Sequence, residues 1–371
     1  MAYIWYRFIL LFFTEIKHNK EQKAQYNNQL MSVIVPFYNE KLDILKKTIQ
    51  SCLDALGNKE VIVVDDGSPD KTIAAAIQKE FKESIRFIRY EGNKGKRKAQ
   101  AVGAKFVKGE FIITVDSDTI IEKDALINLV NPMLCRREVA ATTGNVEVLN
   151  LKENFLTRMI ASRYWNAFNV ERKSLSGFGI VTCCSGVLSA YRASLFKELI
   201  PLYVNQKFLG EECTYGDDRH LTNLVLERKY RIEYVEDAIC KTEVPNNMRQ
   251  FIKQQLRWKK SFIRESIITL RFAFKHSILL PVEVLFNLLI PFMGLAIRLS
   301  VVMTVILYPY LIPYFIFSVS TVAIIRNFFM FFERKDIALF AIPYAFIHEF
   351  VIFWLYFVAV FQLKNSSWGT R

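Results

Sequence analysis

Several short stretches crowd ionisable side chains into otherwise apolar surroundings. GDDRHLTN (216–223) sets Asp217 and Asp218 beside Arg219 and His220, while VIVVDDGS (61–68) and TVDSD (114–118) end apolar runs in acid pairs, Asp65–Asp66 and Asp116–Asp118. Closely spaced carboxylates repel and stay ionised only beside a cation or hydrogen-bond donors. A hard divalent ion, Mg2+ or Mn2+, shared between carboxylate and the oxygens of a nucleotide diphosphate, meets that need. A lone Asp-x-Asp would be ordinary turn composition, but two acid pairs at successive strand ends describe a site. GNKGKRKAQ (92–100) adds four cations around a glycine at a helix start, where phosphate is attracted. It lacks the spacing of a P-loop lysine, which argues against an ATPase. In an inverting sugar transfer one carboxylate takes the acceptor proton while a metal steadies the leaving diphosphate. Asp218 is the natural base; its neighbour Asp217 can raise its pKa as a like charge does, and Arg219 and His220 can orient the pair or contact phosphate. The same acids also suit a helix N-terminus whose Leu221, Leu224 and Leu226 pack inward. In QQLRW (254–258), Gln254 can bond hydroxyls, Arg257 phosphate oxygens, and Trp258 can stack on a sugar ring.

The elements that must carry these residues follow from periodicity. MSVIVPF (31–37) reads as a buried strand, and KLDILKKTIQSCLDAL (41–56) repeats apolar residues at helical spacing. Further strands are expected at 60–66, 84–90 and 111–118, with helices over about 71–82 and from GNKGKRKAQA onward. Strands alternating with helices imply a parallel sheet, whose ligands sit at the strands' carboxyl ends, where both acid pairs fall. A polar-aromatic helix is expected over 154–175. Residues 246–275 mix charge and apolar spacing as a helix at a membrane surface would. Ile278–Ile325 and Ile337–Phe361 are apolar enough for the membrane.

Composition agrees. The chain has 371 residues, 52% of them hydrophobic. Of its 49 Lys/Arg and 36 Asp/Glu, six and four follow residue 275, so the first 275 residues carry 43 against 32, a net of +11. A basic domain beside membrane segments points to the cytoplasmic side. No basic cluster interleaves with aromatics as in a nucleic-acid module, so no nucleic-acid partner is expected. The six cysteines form no CxxC pair, and adjacent Cys183 and Cys184 suit reduced thiols. Tyr3–Phe13 lacks a small-residue cleavage site and, at eleven residues, is too short to span. It reads as an interfacial anchor or the remnant of a lost span.

Taken in order, VDDGS, NKGKR, VDSD, CSG (184–186), GDDRHLTN, QQLRW and SWGTR (367–371) resemble the processive membrane glycosyltransferases of family 2, most of all hyaluronan synthases, with rhizobial chitooligosaccharide synthases as near relatives. The resemblance runs from about Ser32 to Arg371. It implies an α/β GT-A type nucleotide-diphospho-sugar transferase domain with a mostly parallel sheet, followed by interfacial and transmembrane helices. It divides the chain into an N-terminal segment and linker (1–30), a cytoplasmic transferase domain (31–245), interfacial helices with QQLRW (246–277), a transmembrane or re-entrant region (278–361) and a C-terminal segment (362–371). The implied activity is a processive, inverting polymerase making and secreting hyaluronan from UDP-GlcNAc and UDP-glucuronate; the alternative is chitin-like oligomers from UDP-GlcNAc alone. Implied partners are UDP-sugars, the growing polysaccharide, membrane lipid and a possible second copy of the chain, at the plasma (inner) membrane.

By the same resemblance Asp66 and Asp116 contact the uridine and ribose side, Asp118 binds Mg2+ or Mn2+, and Lys96 and Arg97 face the diphosphate. Asp218 is the catalytic base, flanked by Asp217 and Arg219, with Cys184 of CSG at the substrate. Gln254, Arg257 and Trp258 serve diphosphate and acceptor sugar, and Trp368 and Arg371 close over the nucleotide. Two features depart from the family. It usually carries complete N-terminal spans, where this chain offers Tyr3–Phe13. Three crossings would also leave SWGTR outside. Because His348 and Glu349 are expensive against lipid, Ile337–Phe361 is expected to be re-entrant or channel-lining, returning SWGTR to the cytoplasm.

Overall fold

The computed structural model describes residues 2–18 and 26–364; Trp368 and Arg371 lie outside the described residues. Two units emerge: Arg7–Asn150 with Ala167–Glu243, and Met1–Tyr6 with Leu151–Asn166 and Val244–Arg371.

The first unit is built on β1 (Met31–Phe37), β2 (Lys59–Asp65), β3 (Arg86–Arg89), β4 (Phe111–Val115), β5 (Thr119–Ile121), β6 (Val139–Val148), β7 (Leu188–Arg192) and β10 (Arg231–Thr242), with a separate short hairpin of β8 (Lys207–Phe208) and β9 (Glu211–Glu212). The eight strands lie in the order β3-β2-β1-β4-β7-β6-β10-β5. Every residue of β1 and β4 is buried, as expected of strands covered on both faces, and this is why they read as unbroken apolar runs. β1, β2, β3 and β4 are mutually parallel, while β7 runs antiparallel to β4 and β6. The chain winds from β1 outward to β2 and β3, then returns to the other side of β1 as β4. That reversal is a topological switch point, where open α/β sheets hold their ligands.

The strand expected at 111–118 stops at Val115. The chain turns at Asp116, whose carbonyl accepts the Thr119 N–H at 3.2 Å, and continues as β5, paired antiparallel with β10. The helices Leu42–Asp54, Lys71–Phe81 and Lys96–Ala104 fall within residues of their expected bounds. The helix expected over 154–175 is divided: α-helical at Phe155–Asn166, π-helical at Ala167–Arg172, then a turn at Lys173–Ser176. The helix Ala2–His18 is longer than the apolar stretch that announced it. Its Arg7 donates to Ser174 Oγ and its Thr14 hydroxyl to the Ser174 carbonyl, both at 3.2 Å, while Ile9, Phe12, Phe13 and Ile16 are exposed.

In the second unit, helix Met248–Leu270 is capped by the Asn247 side chain, which accepts the Gln250 N–H at 3.0 Å. Among the described residues three helices are long and apolar enough to cross a membrane: Leu279–Leu307, Pro309–Arg326 and Lys335–Phe361. The last, 27 residues long, is built of consecutive helical segments and has the length and composition of a crossing helix. Pro343 sits near the start of its segment Ala341–Ile347, where a missing N–H is tolerated, and a π-helical turn, His348–Ile352, carries the polar pair. Glu349 is answered by Arg298 of the helix Leu279–Leu307 through two hydrogen bonds of 2.6 and 2.7 Å, and Arg298 also lies over the Phe353 ring. Pairing makes charge tolerable at membrane depth.

Candidate active site

The site begins where β2 ends. Asp65, fully buried, accepts the Ser68 N–H at 2.8 Å and pairs with Arg89, which also donates to the Ser68 carbonyl at 2.8 Å. Asp66 accepts the backbone N–H groups of Lys94 and Gly95, both at 2.8 Å, and the Tyr90 hydroxyl. Burial, then the hydrogen bond to Asp66, pushes the Tyr90 phenol up, so it remains a donor. Gly67 (φ +72) makes this possible: a Cβ there would sit 2.5 Å from the Gly92 carbonyl carbon, so the turn after β2 meets the GNKG loop backbone to backbone. The sequence singled out Asp66 but missed Arg89 and Tyr90. The signal was the pairing of β2 with β3, which sets Arg89 opposite Asp65.

The GNKG loop delivers Lys96 to the next acid pair. Its ammonium bonds the Asp116 carboxylate and lies 3.4 Å from Asp217 Oδ2. Gly186 of the CSG stretch leaves room for it, since a Cβ there would stand 2.7 Å from Lys96 Nζ. Burial opposes the charge on Lys96, but Asp116 and Asp217 outweigh it and hold the ammonium protonated. Burial raises the Asp116 carboxyl; Lys96 pulls it down, while Asp217 and Asp218 push it up again. Two carboxylates thus meet at this cation, and Asp218 acts on Asp116 from further off. Asp118 is half-buried and its Oδ1 accepts the Thr242 hydroxyl at 3.3 Å.

Two expected contacts are placed differently. Arg97, expected at the diphosphate, is 5% exposed and donates to the carbonyls of Tyr203 (3.4 Å) and Tyr215 (3.1 Å), because one residue beyond Lys96 the helix turns its side chain inward. Cys184, expected at the substrate, is fully buried, its thiol engaged with Thr222 and Tyr191 and raised by burial to about 12. In each case helix or loop direction, which sequence spacing does not reveal, decides where the side chain goes.

Helix Asp217–Glu227 starts at Gly216, whose φ of +75 is the left-handed region. Asp217 and Asp218 occupy its first turn, as the macrodipole favours. Asp218 is half-buried: Oδ1 accepts the Arg219 N–H at 2.8 Å, Oδ2 accepts the Cys183 thiol at 3.4 Å, and its carbonyl accepts the Thr222 hydroxyl at 2.7 Å. His220 is buried and stacks on Tyr203, its Nε2 3.3 Å from the Leu202 carbonyl. It is a packing residue.

In the second unit, Gln254, Arg257 and Trp258 share one face of helix Met248–Leu270 at i, i+3 and i+4. Trp258 is 40% exposed with Tyr164 beside it, ring centroids 6.3 Å apart. Gln254 Oε1 is buried and has no hydrogen-bond partner among the described residues.

Carboxylate oxygens are the donors that Mg2+ and Mn2+ prefer, and the acid cluster exceeds the charge Lys96 can neutralise. Among the described residues no three His, Cys, Asp or Glu converge as a self-contained metal cage. Asp118 therefore fits an ion that completes its shell with diphosphate oxygens and water, the usual habit of Mg2+.

Comparison with known proteins gives the family and the fold. The model of glycosyl transferase family 2 matches residues 32–200. A hyaluronan synthase of Streptococcus pyogenes is 34% identical over 365 residues, covering 94% of this chain and 85% of that protein. An N-acetylglucosaminyltransferase of Mesorhizobium japonicum is 36% identical over 263 residues, 69% of this chain and 61% of the relative, so the match spans about three-fifths of that protein's length. A mannosyltransferase of Pyrobaculum calidifontis, solved with GDP-Man and Mn2+, shares the fold at TM-score 0.60 and 16% identity, over 97% of this chain and 95% of its own. The chain belongs to glycosyltransferase family 2, and its sheet domain has the GT-A type fold.

Proposed function

We propose that the chain is a processive, inverting UDP-sugar polymerase whose product is hyaluronan, made from UDP-GlcNAc and UDP-glucuronate. The observation that carries the reading is the cluster of Asp116, Lys96 and Asp217 with Asp218 one residue on, at the switch point of a GT-A type sheet. Asp218 takes the proton from the acceptor hydroxyl as that oxygen bonds the anomeric carbon; the bond to the diphosphate breaks and UDP leaves. Its Oδ1 accepts the Arg219 N–H. Lys96 faces the diphosphate, and Asp66 and Asp116 border the uridine and ribose. Asp66 also ties down the loop that carries Lys96. Asp118 would hold Mg2+ or Mn2+, which when bound neutralises the leaving diphosphate. Gln254, Arg257 and Trp258 serve diphosphate and acceptor sugar, in keeping with the unpartnered Gln254 oxygen and exposed Trp258.

Similarity to a hyaluronan synthase over 94% of the chain favours that product. Similarity to rhizobial N-acetylglucosaminyltransferases supports the second reading, chitin-like oligomers from UDP-GlcNAc alone. The basic charge of the first 275 residues beside three membrane-length helices favours the inner face of the plasma membrane for the catalytic unit. Asp218→Asn tests the core of the proposal: turnover should fall about 10²–10⁴-fold, the usual worth of a general base, with UDP affinity retained. Unchanged turnover would remove Asp218 from its role.

A further inference from the structure

Cys183, adjoining the proposed base, has no part in the reaction described above. It lies in the irregular stretch before β7, is 6% exposed, and its thiol donates to Asp218 Oδ2 at 3.4 Å. Its own carbonyl is fixed by Arg172 Nε at 3.2 Å. The next residue reaches Asp218 by a second route: the Cys184 N–H donates to Thr222 Oγ1 at 2.8 Å, and that hydroxyl donates to the Asp218 carbonyl at 2.7 Å. The dipeptide thus grips Asp218 by its carboxylate and by its backbone. Burial, then the charge of Asp218, pushes the thiol up to about 11, so sulfur keeps its proton and remains a donor at neutral pH.

We propose that Cys183 is a positioning residue for Asp218, its thiol fixing the rotation of the carboxylate so that the oxygens face the acceptor hydroxyl. The inference rests on Asp218 being the base. The terminal torsion of an aspartate is broad and twofold, so one N–H on Oδ1 alone leaves the second oxygen free to swing. A thiol is a weak donor: it orients Oδ2 while drawing little basicity from it, whereas a stronger donor would stabilise the anion and weaken the base.

The test uses the full chain, purified in detergent or nanodiscs, carrying Cys183→Ala, Cys183→Val or Cys183→Ser. Turnover, donor KM and UDP affinity by calorimetry are measured for each. Loss of the donor in the Ala and Val variants should lower kcat about tenfold, a fraction of what a misplaced catalytic group forfeits. Donor KM and UDP affinity should stay within about twofold, and Ser, which keeps a donor but a stronger one, should recover part of kcat and stay above both Ala and Val. A packing role predicts the reverse order, with Val close to wild type and Ser poor; that result, or wild-type kcat in both Ala and Val, overturns the proposal. Adding Cys183→Ala to Asp218→Asn should cost nothing further, and a second tenfold loss there would also overturn it. Full turnover in Asp218→Asn itself would instead remove the base assignment beneath it.

Discussion

Lys96→Met removes the cation that touches both Asp116 and Asp217. At the 3.4 Å separation from Asp217 Oδ2, and an effective dielectric of ~20, one such pair interacts by about 5 kcal/mol. The three side chains are 21%, 27% and 10% exposed, so solvent screens part of this. Methionine also escapes the desolvation that burial imposes on lysine. A net loss of about 2 kcal/mol remains, roughly 30-fold in the folding equilibrium. For a unit of this size that lowers the melting temperature by about 4–8 °C. The sign with pH follows from Asp116, whose folded carboxyl is already raised above its ordinary 3.8. Such a group contributes stability fully present below 3.8 and lost as pH rises through the folded value. Removing Lys96 raises that value further, so the deficit should be small below 3.8 and grow as pH rises through the folded value. Labelling on heating with a fluorogenic maleimide reads the unit directly, because Cys52, Cys184 and Cys240 are fully buried in it. Adding Asp116→Asn should recover about half of the loss, since the pair is coupled. A Lys96→Met protein melting within about 1 °C of wild type at neutral pH, or a strictly additive double mutant, would refute the electrostatic account.

Tyr90→Phe removes a donor from buried Asp66 and should destabilise the GNKG loop by about 1–2 kcal/mol. The expected sign is a UDP dissociation constant raised about tenfold with kcat little changed; calorimetry and steady-state kinetics check it. If all three apolar helices cross, Lys364 lies across the membrane from Ser277. A paired alkaline phosphatase and fluorescent protein reporter at the C-terminus should then score opposite to one on the catalytic unit. A reporter on the same side would support the re-entrant reading and with it the expected roles of Trp368 and Arg371 over the nucleotide.

The parallel half of the sheet was legible because β1, β2 and β4 are buried on both faces and read as plain apolar runs. Acids at the ends of such strands are legible for the same reason: the fold class says what those ends are for. Direction was not. Lys96 and Arg97 are neighbours in a basic stretch, yet one reaches Asp116 and the other turns onto the Tyr203 and Tyr215 carbonyls. Cys184 carried the recognisable CSG pattern, but Cys183 is the cysteine that touches Asp218. Tyr90 and Arg89 acquire meaning only once β3 is placed beside β2. The charge of Glu349 looked costly because its partner, Arg298, lies on another helix. These facts belong to tertiary packing, which no local spacing encodes.

The central claim is tested most directly by donor dependence. Purified full chain with Mg2+ or Mn2+ is given UDP-GlcNAc, UDP-glucuronate, or both, and UDP release is followed alongside digestion of the product. The account predicts sustained release only with both donors, and a polymer that hyaluronidase degrades. Steady turnover on UDP-GlcNAc alone with a chitinase-sensitive product would contradict the hyaluronan assignment, and no release under any condition would contradict the polymerase itself.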